Sequence, residues 1–215
     1  MFENVLSENA KKSLAILGQS GILKNAYMAG GTALALQIGH RLSYDFDFFT
    51  TEEFDATLLT QKINKLIPNF NLDRTDWGTI LGSINNTRFS LFFYTYPILF
   101  ESSEFSGVAI VNIKDIAAMK IAAISDRGSK KDFIDLYFIV EVEKILSLKE
   151  CLELYDKKFQ ALKQNKTHIL KSLNYFDDAD KEAELKMIKP VQWKKVKLFF
   201  QKEIKKISEE TFFKK

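Results

Sequence analysis

Asp45 and Asp47 stand two residues apart in SYDFDFF, residues 43–49. Alternating polar and aromatic residues carry the period of a β-strand, in which residues i and i+2 face the same side. The two carboxylates therefore share one face, their Cα atoms about 6.5 Å apart at a rise of about 3.3 Å per residue. Phe46 and Phe48 share the other face and can anchor the strand in a core. Two carboxylates this close repel each other and resist desolvation unless a positive charge lies between them. A hard divalent cation meets that need: Mg²⁺ takes one or two protein carboxylates and completes its shell with phosphate oxygens and water.

Gly30 and Gly31 supply a matching half. They end the short apolar run AYMAGG, residues 26–31, which reads as a strand running into a tight turn. The TALALQIG that follows is rich in helix formers and is closed by Gly39. Glycine lets backbone approach a phosphate closely, and a helix start aims unpaired N–H groups and a positive dipole end at the same place. Thr32 adds a hydroxyl at that helix start, and Arg41 and His40, between helix and strand, can add charge or a hydrogen bond. Taken alone, a D-x-D also suits an exposed strand edge, and a Gly-Gly pair is usually only a turn. In this order they suit the two walls of a cleft for a metal-triphosphate, with the phenylalanines turned to the core.

A second constellation lies in IKDIAAMKIAAISDRGSKKDFIDLYFIV, residues 113–140. On one continuous helix, positions 120, 124, 127, 131 and 135 would share a face. Gly128-Ser129 is expected to break that helix into two that meet at a turn. In either arrangement Lys120 and Arg127 can reach triphosphate oxygens, where cations stabilise charge developing during transfer. Of Asp132 and Asp135, one can orient Lys131 or Arg127 by ion pairing and the other can serve as a base or metal neighbour.

The surrounding elements follow from periodicity and turn chemistry. Residues 4–20 suit an amphipathic helix stopped at Ser20-Gly21, and residues 55–67 a surface helix ended at Pro68. FNLDRTDWGTILGSI and TRFSLFFYTYPIL are rich in β-branched and aromatic residues, with Asn85-Asn86 as a two-residue hairpin turn between them. GVAIV, residues 107–111, is a further strand, and Asn112 suits the N-cap of the helix that follows. Beyond it the patterns are helical, over 131–144, 147–166, 179–187 and 190–207, the last with Pro190 in its first turn. The organisation expected is an α/β lobe over 1–112 and a helical lobe over 113–215.

Composition narrows the class. The 215 residues, 46% hydrophobic, suffice for a substantial core. One cysteine, Cys151, rules out an intramolecular disulfide and a Cys-rich zinc site, and two histidines, His40 and His168, argue against a His-built metal site. The N-terminus lacks the apolar stretch of a signal peptide, and no apolar run approaches about 18 residues, so a soluble cytoplasmic protein is expected. The net charge of +3 is small, but residues 186–215 carry ten Lys against three Glu. Lys194, Lys195, Lys197, Lys202, Lys205 and Lys206 ride a helix whose apolar members are Val196, Phe199, Phe200 and Ile204, with Trp193 packing it down. That surface suits an RNA phosphate backbone, or is simply a solvated face.

Gly30-Gly31-Thr32 followed about a dozen residues later by Asp45-Phe46-Asp47 resembles the signature of the polymerase-β-type nucleotidyltransferase superfamily. The longer GGTALALQIGHRLSYDFDFF resembles the AbiEii/AbiGii nucleotidyltransferase toxin family of abortive-infection and toxin–antitoxin systems. Residues 113–140 resemble the same family, whose members carry a Lys, an Arg and a basic-Asp-x-x-Asp motif, here Lys120, Arg127, Lys131, Asp132 and Asp135; residues 173–207 resemble its tail. The resemblance implies an α+β fold, a polymerase-β-like lobe with a mixed sheet followed by a helical lobe that completes the active site. It implies metal-dependent transfer of an NMP from an NTP to an acceptor hydroxyl on RNA, tRNA among its forms, or on protein. Asp45 and Asp47 would hold Mg²⁺ or Mn²⁺ and act with Lys120, Asp132 and Asp135, while Gly30, Gly31, Thr32, Arg41, Arg127 and Lys131 would bind the nucleotide. A growth-inhibiting toxin with a cognate antitoxin is the implied setting.

The pattern departs from the superfamily at one point. Many such enzymes carry a third metal carboxylate on a later strand, yet TRFSLFFYTY has no acid, and Asp73 and Asp76 precede it without a diagnostic context. Either two strand carboxylates serve, or Asp132 or Asp135 supplies the third. The same departure sustains a different reading, a catalytically degenerate nucleotide-binding regulatory module. A sugar-nucleotide transferase sharing D-x-D is opposed by Gly30–Thr32 ahead of it.

Overall fold

A computed structural model describes residues 1–160 and 166–212, the last two as backbone only. The chain divides into two compact units, Met1–Asn112 and Ile113–Lys215. The first is α+β, with the elements α1 (Glu8–Ser20), β1 (Tyr27–Ala29), α2 (Gly30–Ile38), β2 (Asp45–Thr50), α3 (Ala56–Leu66), β3 (Phe70–Asp76), β4 (Thr79–Ile84), β5 (Thr87–Phe93), β6 (Ser103–Phe105) and β7 (Val108–Ile110).

Its seven strands form one mixed sheet in the order β3-β4-β5-β2-β1-β7-β6. β2 is central, antiparallel to β1 and parallel to β5. The expected alternation holds along it: Phe46 and Phe48 are fully buried, while Asp45, Asp47 and Phe49 are half-exposed on the other face. Phe48 and Phe89 lie 5.7 Å apart between ring centroids and Phe89 meets Phe70 edge-on at 6.0 Å, so an aromatic layer secures β2, β5 and β3 from beneath.

Local chemistry sets the boundaries. The Ser7 hydroxyl accepts from the Ala10 N–H, so α1 starts at Glu8 rather than at residue 4, and residues 3–5 form a 3-10 turn instead. Asn85 and Asn86 both take positive φ, 49° and 64°, and join β4 to β5 as the two-residue hairpin expected of them. FNLDRTDWGTILGSI is not one strand: it folds back at Trp77-Gly78 into the β3–β4 hairpin. The short strand β6, absent from the periodicity, pairs with β7.

The second unit is helical: α4 (Ile113–Asp126), α5 (Lys130–Tyr137) running into a π-helical turn (Phe138–Val142), α6 (Leu148–Lys158), α7 (Lys166–Ser172), α8 (Asp177–Asp180) and α9 (Trp193–Phe212). Gly128, at φ 56°, separates α4 from α5 where a break is expected. The expected helix 147–166 is α6 to residue 158; positions 161–165 of that range lie outside the described residues. The expectation of a helix over 179–187 fails. Only Asp177–Asp180 is helical, and beyond it the Glu182 carbonyl accepts from the Lys130 ammonium at 2.6 Å. The last helix starts at Trp193, not Pro190, with the indole donating to Asp180 at 2.6 Å. Val196, Phe200 and Ile204 are its buried stripe, and Phe133 packs against Phe176, Trp193 and Phe200 at centroid distances of 5.1, 6.0 and 5.2 Å. No helix among the described residues is long and apolar enough to cross a membrane.

A close approach ties α1 to the sheet edge. A Cβ at Gly18 would lie 1.9 Å from the Ser106 carbonyl oxygen in the β6–β7 turn. Gly18→Ala is therefore expected to destabilise the protein by about 1–3 kcal/mol through forced displacement of backbone, read as a lower urea midpoint at unchanged slope.

Candidate active site

The first cluster is built where β1 ends, α2 begins and β2 passes alongside. Ala29 pairs with Asp47 in the antiparallel register, which brings the start of α2 against the carboxylate strand. Gly30 sits at φ 71°, and a Cβ there would fall 2.8 Å from Asp47 Oδ2. Only glycine accepts both the left-handed backbone and that approach. Ala29 at the N-cap position offers no side-chain hydrogen bond to the first turn of α2, since a methyl group cannot accept one.

Thr32 is 1% exposed and its hydroxyl is engaged inside the fold. It donates to the Asp45 backbone carbonyl and shares a 2.7 Å hydrogen bond with the Ser43 hydroxyl. Arg41, 6% exposed, donates through Nη1 to the Leu42 carbonyl at 3.1 Å and to the Ser43 hydroxyl at 3.4 Å, and His40 beside it is fully buried. Thr32, Ser43 and Arg41 thus clamp the 40–45 link to the start of α2 and set the height of Asp45. Ser43 carried no sequence signal; its part in the clamp arises from the link folding back beneath α2.

The carboxylate face continues across the sheet. β2 and β5 pair in register, so Arg88 stands beside Asp45 and Ser90 beside Asp47. No acid occupies those β5 positions. Among the described residues, no group of three or more His, Cys, Asp or Glu is arranged to hold a metal ion. Asp45 and Asp47 form a pair of carboxylates on one face of β2. The pair fits an oxygen-preferring divalent cation that takes its remaining ligands from phosphate and water.

The second unit holds a compact charge cluster. The Lys120 ammonium sits between two fully buried carboxylates, 2.8 Å from Asp132 Oδ1 and 2.6 Å from Asp135 Oδ2. Arg127 donates to Asp132 from Nε at 2.9 Å and from Nη2 at 3.3 Å, and the Ser129 hydroxyl donates to Asp132 Oδ2 at 2.6 Å. Two cations and two anions therefore cancel. Burial by itself would push the Asp132 carboxyl up, but the charges and hydrogen bonds of Lys120 and Arg127 outweigh it and hold the group well below the usual carboxylate range. Lys120 is almost wholly enclosed, whereas the Arg127 side chain is 55% exposed. Lys131 is half-buried with no hydrogen-bond partner among the described residues; its neighbour Lys130 is the buried one, bound to Glu182 and Glu184. Burial pushes the Cys151 thiol up to about 12, which leaves it protonated and inert.

Known proteins resemble the chain along nearly its whole length. The model of the family described as "Nucleotidyl transferase AbiEii toxin, Type IV TA system" matches residues 13–103 and 91–212. An uncharacterised protein of Aquifex aeolicus is 38% identical over 213 residues, 95% of this chain and 98% of that protein. Among solved structures, the nucleotidyltransferase toxin MenT4 of Mycobacterium tuberculosis superposes with a TM-score of 0.56 at 14% identity, over 92% of this chain and 84% of the other. JHP933 from Helicobacter pylori superposes with a TM-score of 0.53 at 19% identity, over 96% of each chain. These superpositions identify the fold.

The charge cluster makes a pH-dependent prediction. Asp132→Asn leaves the buried Lys120 with one carboxylate, and a loss of about 3–5 kcal/mol at pH 7 is expected, as for a broken buried ion pair. The folded carboxyl titrates below its ordinary value of 3.8. Its contribution is therefore fully present above that value and disappears as pH falls through the lower folded one. The gap between wild type and variant in urea unfolding should be constant from neutral pH down to about pH 5 and close progressively below about pH 4.

Proposed function

Taking as premise that this chain belongs to the nucleotidyl transferase AbiEii toxin family and is a nucleotidyltransferase, we propose that it transfers an NMP from an NTP to an acceptor hydroxyl at Asp45 and Asp47, with its triphosphate on the start of α2. The observation that carries this reading is the contact between Gly30 and Asp47, where a Cβ would lie 2.8 Å from the carboxylate oxygen. Phosphate-binding backbone and metal-binding carboxylate are thereby adjacent. The β- and γ-phosphates accept from the leading N–H groups of α2, whose dipole favours negative charge there. Asp45 and Asp47 would hold a Mg²⁺ or Mn²⁺, which would supply Lewis-acid polarisation of the α-phosphate and neutralise charge on the leaving group.

The acceptor hydroxyl oxygen forms a bond to the α-phosphorus as the bond to pyrophosphate breaks, and the hydroxyl proton passes to water. Thr32, Ser43 and Arg41 keep the two carboxylates at fixed height during this exchange. Lys120, Asp132 and Asp135 hold Arg127, whose exposed guanidinium is the cation offered to a phosphate; Lys131 is a second. The exposed lysines of α9, Lys194, Lys195, Lys202, Lys205 and Lys206, support an RNA acceptor, tRNA among the candidates, over a protein one. The family's description as a toxin of a type IV toxin–antitoxin system supports growth inhibition countered by a cognate antitoxin. A nucleotide-binding module without turnover is the second reading. It draws on Arg88 and Ser90 occupying the β5 positions beside Asp45 and Asp47.

Incubation with each α-labelled NTP, Mg²⁺ and total RNA, followed by identification of the labelled species, separates the two. Transfer is expected, and Asp45→Asn should reduce it on the order of a hundredfold or more without lowering the unfolding temperature. Binding of Mg-NTP with no label on any acceptor would leave the regulatory module standing. Gly30→Ala, which forces a Cβ against Asp47, is expected to weaken Mg-NTP binding in equilibrium dialysis.

A further inference from the structure

An aromatic row continues the carboxylate face, and nothing in the proposed chemistry so far uses it. Along β2 the residues facing the open side are Asp45, Asp47 and then Phe49. Phe49 pairs in register with Phe92 on β5 and with Tyr27 on β1. Its ring centroid lies 5.4 Å from that of Phe92, 5.1 Å from Tyr94 and 5.9 Å from Tyr27, and Tyr94 meets Tyr96 at 4.9 Å. Tyr27 is buried behind this group, while Phe49, Phe92, Tyr94 and Tyr96 each keep part of their surface in solvent. The core aromatics, Phe46, Phe48 and Phe89, are on the opposite face and almost wholly buried. The row is thus a separate, partly wet set of rings on the reacting side of the sheet.

Strand direction assigns it a side of the reaction. β1 runs from Tyr27 to Ala29 into Gly30, antiparallel to β2, so the start of α2 lies at the Asp45–Asp47 end and Phe49 points away from it. Thr32 bonding to the Asp45 carbonyl places the helix start at that same end. In-line displacement sets the leaving pyrophosphate and the incoming hydroxyl on opposite sides of the α-phosphorus. With the triphosphate at the glycine end, the acceptor enters from the aromatic end. Phe49 follows Asp47 by about 6.6 Å of strand, next along the same face. Arg88 and Ser90 alternate with Phe92 on the same face of β5, and Arg88 is exposed, adding a cation suited to a nucleic-acid phosphate.

We propose that Phe92, Tyr94 and Phe49 form a stacking platform for the terminal, unpaired nucleobase of a single-stranded RNA end whose ribose hydroxyl is the acceptor. This rests on the nucleotidyl-transfer reading and adds the class and pose of its acceptor. Flat rings accept any base by its π face, so the platform recognises an end and not a sequence. It requires the terminal base to be unstacked from a duplex.

The test uses the full-length protein and two pools of random-sequence RNA octanucleotides, one intact and one with an abasic 3′-terminal ribose. Wild type is expected to bind the intact pool roughly ten- to a hundredfold more tightly than the abasic pool, the range of one stacked base. Phe92→Leu and Tyr94→Leu, which keep apolar bulk and lose the flat ring, should each bring that ratio toward one. Equal binding of both pools by wild type, or no binding of either, overturns the platform. So does a ratio that survives in both folded variants, with circular dichroism confirming folding; the wild-type comparison needs no variant at all. Mg-NTP binding and transfer of label are measured separately. Label appearing on protein alone overturns the platform and leaves nucleotidyl transfer intact, whereas absence of Mg-NTP binding overturns the transfer reading itself.

Discussion

A β-strand buries only every second side chain, and the first unit is organised around that limit. Phe46 and Phe48 drive one face of β2 into the core, which obliges Asp45 and Asp47 to remain on the other. A one-residue slip of the strand would exchange the two sets, burying both carboxylates and exposing both rings. The central place of β2, paired on both edges by β1 and β5, removes the freedom to make that exchange. What reads as charge embedded among phenylalanines is one strand doing two tasks on its two faces.

The second unit solves a different problem, the burial of ions. Lys120 cannot be enclosed alone, and it is accompanied by Asp132 and Asp135, with Arg127 and Ser129 completing the hydrogen bonds of Asp132. Lys158 and Asp115, both fully enclosed and 2.7 Å apart, repeat the arrangement between α6 and α4. Such clusters stabilise little beyond what an apolar core would, but they tolerate few geometries. In this unit that rigidity holds a guanidinium at the surface in a set orientation. A fixed cation needs less reorganisation when charge develops on a phosphate than a mobile lysine does.

Several features were legible because their cause is local. The alternation of SYDFDFF, the short helix closed by Gly39, the Asn85-Asn86 turn and the break at Gly128-Ser129 each depend on the backbone preferences of a few adjacent residues. The misreadings share an opposite cause. Residues 179–187 have a helical composition, yet Lys130, more than fifty positions upstream, takes the Glu182 carbonyl. β6 is three residues long and owes its existence to pairing with β7.

The sequence by itself determined which residue types could meet a metal-triphosphate, and on which face of their strand they stand, because side-chain direction follows from periodicity alone. Tertiary structure decided which of those groups remain available. Asp45 and Asp47 stay half-exposed while Thr32, His40 and Lys120 are enclosed. It also decided that Arg88, Ser90 and the Phe49–Phe92 rings adjoin the carboxylates. Arg88, Ser90 and Phe92 come from β5, some forty residues away in the chain, and strand register, which no local preference encodes, puts them beside β2.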